Sequence, residues 1–444
     1  MTGEGTLVPA LVARADEVVA GAGAEVRART GTHLLDALGC LVVGAGHPSA
    51  RLLRRFADLT GEAGPVPVLG DAGPRSLRMA VLLESAYLHL DEFDAIHSAG
   101  AVVPPAVVVP AALAVAARCG SSGRDLVDAV LGGYDVVVEA GLRLGGPALY
   151  PERWWPTAAL GALGAAWASA RLLGLDEEGR RRAVVLAAHA AGGPIGSDAL
   201  GEGHYLEGGR AASCGVEAAY QAAAGLRGDP GLLDAGLPGS SGRPLGPPSP
   251  GTAPHLLACS FKRYPFARPL HAALAALDQL AAEGVSVATA RRVEVHVPAP
   301  LRRFVTAARA PRGPVEAASS AWVAVAAHLA GRADDVTFIR TATAPEAPPV
   351  ELVAAEDLVA DLPARWSGRV VVHLADGGTA ERRVGDAPNP TEDEIVGKYR
   401  RNVRAAPPGP AAELLASCRA LDALPAAARL RETLHRTVAT AAVG

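Results

Sequence analysis

The sequence predicts a mostly α protein, with a large all-helical domain and a smaller α+β lid domain. Three observations carry this. Apolar residues recur at helical spacing through the N-terminal half, and no strand pattern longer than a few residues interrupts them. A Gly-, Pro- and Ser-rich stretch from Leu226 to Pro254 then breaks the pattern as a long linker or surface loop. Beyond it, RRVEVHVP at Arg291 to Pro298 and GRVVVHL at Gly368 to Leu374 alternate with period two, as half-buried strands do. At 444 residues the chain is long enough for two or three domains. Apolar residues make up 50% but aromatics only 4%, so Ala, Val and Leu dominate and helices can approach closely.

The elements follow in order. Thr32 to Val43 reads as a helix, stopped by Gly44, Gly46 and Pro48. Arg51 to Leu59 and Leu77 to His89 are the next two. Ser98 to Ala117 carries no charge and invites a membrane span, but Pro104, Pro105 and Pro110 mark a loop entering a buried helix that runs from Pro110 to Cys119. Gly123 to Leu144 follows. Thr157 to Leu173 is apolar all round, the mark of a helix buried on every side. Glu177 to Ala191 and Arg210 to Ala224 complete the run. In the second part, His271 to Glu283 and Ala317 to Ala330 are helical between the strands. Asp376-Gly377-Gly378 turns the chain into a return strand, Thr379 to Val384. Pro390 to Arg404 and Ala411 to Thr437 are helical again and re-enter the first domain. The expected division is 1–255 helical domain, 256–388 lid, and 389–444 returning helices.

Charge and cysteines narrow the function classes. A formal net charge of −4 and an isoelectric point near 6.3 argue against nucleic acid or acidic membrane as partner. The apolar content excludes disorder over the whole chain. Cys40, Cys119, Cys214, Cys259 and Cys418 are odd in number, widely spaced and form no C-x-x-C. Neither a disulfide framework nor a zinc site is expected, and a reducing cytoplasm fits. Met1 to Pro9 lacks the basic and apolar regions of a signal peptide. No P-loop, H-E-x-x-H or G-x-S-x-G is present, and Gly21-Ala22-Gly23 lacks the third glycine of a dinucleotide loop.

Four clusters could carry chemistry. Tyr87 to His97 packs His89, Asp91, Glu92, Asp94 and His97 at the end of an apolar helix. Burial or mutual repulsion there could shift a carboxylate into acid/base range, whereas the bland alternative is a solvated helix end. Arg153-Trp154-Trp155-Pro156-Thr157 follows, with Thr157 placed to N-cap the buried helix and offer its free N–H groups to an anion. A surface turn with core tryptophans is the alternative. Third, Gly203 to Ala212 holds His204, Tyr205 and a Gly pair opening a helix at Arg210, which permits close backbone approach or is a plain helix start. Last, Phe261-Lys262-Arg263-Tyr264-Pro265-Phe266-Ala267-Arg268-Pro269-Leu270-His271 gathers three cations where linker meets lid. Domain junctions favour small ligands, and a basic pair suits a carboxylate or phosphate. A solvated basic turn is the alternative.

Taken in this order, the clusters resemble the MmgE/PrpD family, which includes 2-methylcitrate dehydratase, cis-aconitate decarboxylase and iminodisuccinate epimerase. The helix LLDALGC at Leu34 to Cys40 is similar to its early helix. His89 to Asp94 and Pro104 to Ala117 resemble its H-x-x-D-x-D-D-T segment and P-A-A-L-A helix, and Gly133 to Val136 its G-Y-E-V. Trp155-Pro156-Thr157, Leu172 to Asp176, Gly209 to Ala212, Lys262 to His271 and Asn389-Pro390 resemble its H-P-T, L-L-G-L-D, G-R-A-A, K-P-Y-P-x-C-R-x-x-H and closing N-P motifs.

The resemblance implies a homodimer without metal or cofactor, a small-molecule substrate held between the domains, and elimination begun by proton removal beside a carboxylate. It implies Lys262, Glu92, Asp94, His97, His204, Tyr205 and His271 as catalytic candidates. Trp155, Thr157, Arg210, Arg263, Tyr264, Arg268 and Trp322 are candidates for substrate binding. The sequence also departs from the pattern. The first family Asp falls on Glu92, its two histidines on Val103 and Trp155, its lysine on Tyr205 and its late tyrosine on Trp322. Such a pocket suits a less charged, larger or more apolar substrate than a tricarboxylate. A diverged lyase is the first expectation; a cyclase or isomerase on the same fold, or a non-catalytic binding protein, are the others. Lys262 is expected to face the anionic group from a cleft, so that its loss would spare folding.

Overall fold

A computed structural model describes residues 6–195, 201–237 and 243–438. The first five residues of the N-terminal stretch and residues 238–242 of the linker lie outside the described residues. The first part is helical: α1 (Leu7–Ala20), α2 (Ala24–Ala45), α3 (Pro48–Thr60), the four-residue β1 (Ala63–Val66), α4 (Leu77–His89), α5 (Pro104–Cys119), α6 (Gly123–Leu144), α7 (Pro156–Leu172), α8 (Glu177–Ala188) and α9 (Glu202–Ala223).

The small-residue composition sets the packing. Every residue of α7 from Pro156 to Ala170 is buried, and α5, α6, α8 and α9 surround it. A Cβ at Gly164 would lie 2.5 Å from the Gly133 carbonyl oxygen, so only glycine lets α7 approach α6 this closely. No helix among the described residues is long and apolar enough to cross a membrane. Most of the uncharged stretch is α5 itself: the helix starts at Pro104 rather than at Pro110, with Pro104 in the first turn, where its missing N–H costs nothing, and Pro110 inside the helix.

The second part carries α10 (His271–Ala282), β2 (Arg292–Pro298), α11 (Pro314–Ala317), α12 (Ala321–Leu329), α13 (Val336–Arg340), β3 (Val350–Ala355), β4 (Gly368–His373) and β5 (Thr379–Val384). Its sheet runs β3-β2-β4-β5. β2 pairs parallel with β3 (Val293 opposite Val350) and antiparallel with β4, which pairs antiparallel with β5. Gly368, Val370 and Val372 are buried while their alternates are not, and α10 packs against β4 and β5. The chain then returns: α14 (Glu392–Asn402) and α15 (Pro408–Arg419) pack on α2, and α16 (Ala427–Arg436) packs on α5. The buried ammonium of Lys398 sits 2.7 Å from Asp36 of α2.

The structure departs from the sequence reading at several elements: the helices expected over Ala317 to Ala330 and Ala411 to Thr437 are each broken in two. α1 precedes the first helix read from the sequence, and α2 begins at Ala24. β3 is an edge strand with irregular burial, so its residues show no clean alternation. α9 begins at Glu202, which places Gly208 and Gly209 inside a helix rather than at its start. The residue capping α7 is Trp155, without a side-chain cap; the Thr157 hydroxyl instead accepts the Val103 N–H at 3.0 Å.

Candidate active site

The loops after α4, before α5 and before α7 converge on the first turn of α9 and on the segment leading into α10. Three non-glycine residues there adopt the left-handed backbone region: Glu92 (φ 51°), Ala101 (φ 55°) and Arg153 (φ 69°). Such conformations cost about 1–3 kcal/mol each and cluster at functional sites. The loops enclose a cavity of about 50 Å³, lined by His89, Glu92, Trp155, His204, Tyr205, Lys262 and Arg268. Ile96, Val103, Tyr150, Phe304 and Trp366 form its apolar wall.

Glu92 is the centre of the polar network. Its carboxylate receives the Lys262 Nζ at 2.9 Å and the Tyr205 hydroxyl at 3.4 Å, and lies 3.4 Å from His89 Nε2. Behind His89, Asp94 holds Nδ1 at 2.8 Å. With Nδ1 donating to Asp94, His89 presents Nε2 to the cavity side. Burial alone would lower the His89 pKa, but the Asp94 and Glu92 carboxylates raise it above the usual histidine value. Burial likewise pushes Glu92 up, and Lys262 with His89 overturns this, bringing it to about 2. His204 stacks on Trp155, with ring centroids 3.7 Å apart, and burial followed by repulsion from His89 lowers it to about 3. The cavity therefore holds a fixed carboxylate, an ammonium, a carboxylate-backed imidazole and a neutral imidazole. One ligand atom each from His89, Glu92 and His204 lie within 4.8 Å of one another, near enough to share a cation. Lys262 already supplies the positive charge on that carboxylate.

The structure brings together Glu92, Trp155, His204, Tyr205, Lys262 and Arg268 from the predicted set, with Asp94 one hydrogen bond behind. Arg268 is buried, pairs with Asp386 at 2.5 Å, and its Nε has no hydrogen-bond partner among the described residues. The others lie outside the lining. His97 is buried and its Nδ1 accepts the Gly100 N–H; burial lowers it to about 4. His271 binds the Phe266 carbonyl at 3.0 Å, and Tyr264 donates to Asp278. Arg263 pairs with Glu394, Trp322 donates to the Pro345 carbonyl, and Arg210 is exposed. His89 joins the site although it stands outside the expected site residues: α4 ends on it, and the left-handed turn at Glu92 brings that carboxylate within 3.4 Å of its Nε2. Lys262 is 1% exposed and ion-paired, so the expectation of a removable cleft lysine is overturned. Removing one partner of a buried pair costs about 3–5 kcal/mol.

A family model, the MmgE/PrpD N-terminal domain, matches residues 15–238. The chain belongs to the MmgE/PrpD family. It is 30% identical to human (Homo sapiens) cis-aconitate decarboxylase over 168 residues, 35% of this chain and 33% of that protein. Over 177 residues it is 28% identical to the cis-aconitate decarboxylase-like protein oryM of Aspergillus oryzae, covering 38% and 37%. The mouse (Mus musculus) cis-aconitate decarboxylase is 30% identical over 170 residues, covering 35% and 33%. The matches thus span about a third of the length of these relatives.

Proposed function

We propose that the protein is a lyase that removes a proton beside a carboxylate of a small organic acid and expels water, carbon dioxide or an activated group such as phosphate. The observation that carries this is the meeting of the Lys262–Glu92 pair and the Asp94–His89 dyad on one buried cavity. An enolate-like transition state needs a cation near the carboxylate and a group that moves the proton. Lys262 and Arg268 supply positive charge, and His89, oriented by Asp94, handles the proton. Tyr205 can donate to the leaving group. The lyase names of the relatives support the class. Trp155, Val103 and the aromatic wall favour a substrate with fewer charges and a larger apolar part than cis-aconitate. The reading takes the active form to be a cytoplasmic homodimer acting without a cofactor.

The test is a panel of alkyl- and aryl-substituted carboxylic acids beside cis-aconitate and 2-methylcitrate, with products identified by mass spectrometry. Turnover is expected for an apolar-substituted acid. On that substrate, Lys262→Met should lower kcat by about 100-fold or more. Glu92→Gln combined with Lys262→Met leaves no unpaired buried charge at this pair and serves as the folding control. Efficient turnover of cis-aconitate or 2-methylcitrate would contradict the substrate class. Unchanged kcat in a folded Lys262→Met protein would remove the lysine from the mechanism.

A further inference from the structure

We propose that a second, larger cavity beside the catalytic cleft binds a small organic polyanion that holds the lid closed. This cavity has a volume of about 650 Å³. Five arginines line it: Arg51 and Arg54 of α3, Arg340 of α13, and Arg401 and Arg404 at the end of α14. In a chain of net charge −4, that is a concentrated positive site.

The local carboxylates do not neutralise it. Arg340 pairs with Asp91 at 2.5 Å, Arg401 with Asp334 at 3.1 Å and Arg404 with Asp335 at 3.3 Å. Arg51 and Arg54 have no carboxylate in ion-pair range among the described residues. Arg54 spends its Nη1 on the Ala45 carbonyl at 3.1 Å, and Arg51 is exposed on the first turn of α3. Arg340 engages Asp91 and the Val43 carbonyl through Nε and Nη2, leaving Nη1 without a hydrogen bond among the described residues. Guanidinium forks match phosphate and carboxylate oxygens, and several converging ones select ligands with more than one negative charge. Val42, Val43, Val336, Ala405 and Ala406 supply apolar wall, so the ligand has a carbon body as well as its anionic groups.

The placement of these residues gives the site its consequence. Arg340 belongs to the lid, whereas α3 and α14 belong to the helical layer. An anion bridging Arg340 Nη1 to Arg51 and Arg401 adds ties between the two parts. It does so next to Asp91, the neighbour of Glu92, and so reinforces the contact that closes the lid over the catalytic cavity.

Calorimetric titration of the full chain with inorganic pyrophosphate and, separately, with citrate at low ionic strength tests this. Saturable binding of either is expected, and the stronger of the two tells phosphate from carboxylate preference. Arg51→Glu should weaken that binding by at least about tenfold, since a charge-assisted hydrogen bond is lost and a repulsion gained. Arg51→Gln with Arg401→Gln should do the same; Arg51 is exposed, so the single variant keeps the test sound if the double one folds poorly. Bound anion should also slow amide exchange in 334–341. Absence of saturable binding of both anions up to about 10 mM would overturn the proposal. So would affinities unchanged by both sets of substitutions, which would place any citrate bound in the catalytic cavity instead.

Discussion

At Glu92, one side chain carries backbone strain, burial and an ion pair together. Its folded pKa of about 2 lies below its ordinary 4.5, because Lys262 and His89 overcome the effect of burial. A depressed carboxyl stabilises the fold above its unfolded pKa, and that stability is lost as pH falls from about 4.5 toward 2. The shift is worth roughly 3 kcal/mol at most. Glu92→Gln should therefore be less stable than the wild type at pH 6, with the gap narrowing by pH 3. Urea melts at the two pH values check this; a gap that stays constant would show that the pair contributes nothing through ionisation. The acidic cluster and the lysine were legible from residue types and order alone. Which of the two histidines faces the cavity was not. His89 closes α4, whereas His97 lies beyond a left-handed turn at Glu92, and that turn cannot be read from side-chain chemistry.

Among the elements, α9 shows how packing overrides local signals. Its first turns, EGHYLEGGR, lack an apolar period and contain three glycines, so a sequence reading starts the helix late. The helix forms because its small residues fit against α4 and α7. By contrast, α4, α6 and β5 run between the residues their patterns indicate, because caps and period agree there. Neighbouring glycines in α9 separate packing from propensity. A Cβ at Gly209 would lie 2.4 Å from the Leu82 carbonyl oxygen, whereas at Gly208 it would meet the Trp155 ring at 3.5 Å, an ordinary contact. Gly209→Ala should cost about 1–3 kcal/mol through overpacking. Gly208→Ala should be neutral or gain up to about 1 kcal/mol from helix propensity. Denaturant melts of the two variants decide the matter, and equal effects would show that the α4–α9 distance is not set by Gly209.

On the scale of the whole molecule, the candidate cavity leaves little free space, about 50 Å³, between the helical layer and the second part of the chain. Under the proposed function, substrate enters as the lid moves. The composition shift after Leu226 made a second part legible, but the contacts that close it join residues far apart in sequence and carry no local signal. Arg303 donates to the Tyr150 carbonyl at 2.6 Å, Trp366 Nε1 to the Ser98 carbonyl at 3.2 Å, and Arg340 holds Asp91 and the Val43 carbonyl. Each grips a loop that frames the site. Removing one of them shifts the balance toward the open form without touching the lid's own sheet. A hydrogen bond from a charged group is worth about 1.5–3 kcal/mol, so Arg303→Ala should populate the open form about tenfold more or beyond. Amide exchange should quicken by that factor in residues 93–103 and 149–155, while β2, β4 and β5 keep their protection. On the substrate found by the acid panel, kcat should fall with little change at His89 or Lys262, because closure excludes water and completes the site. Unchanged exchange in both loops would mean that Trp366 and Arg340 suffice to hold the lid, and that Arg303 serves only to position Phe304 in the cavity wall.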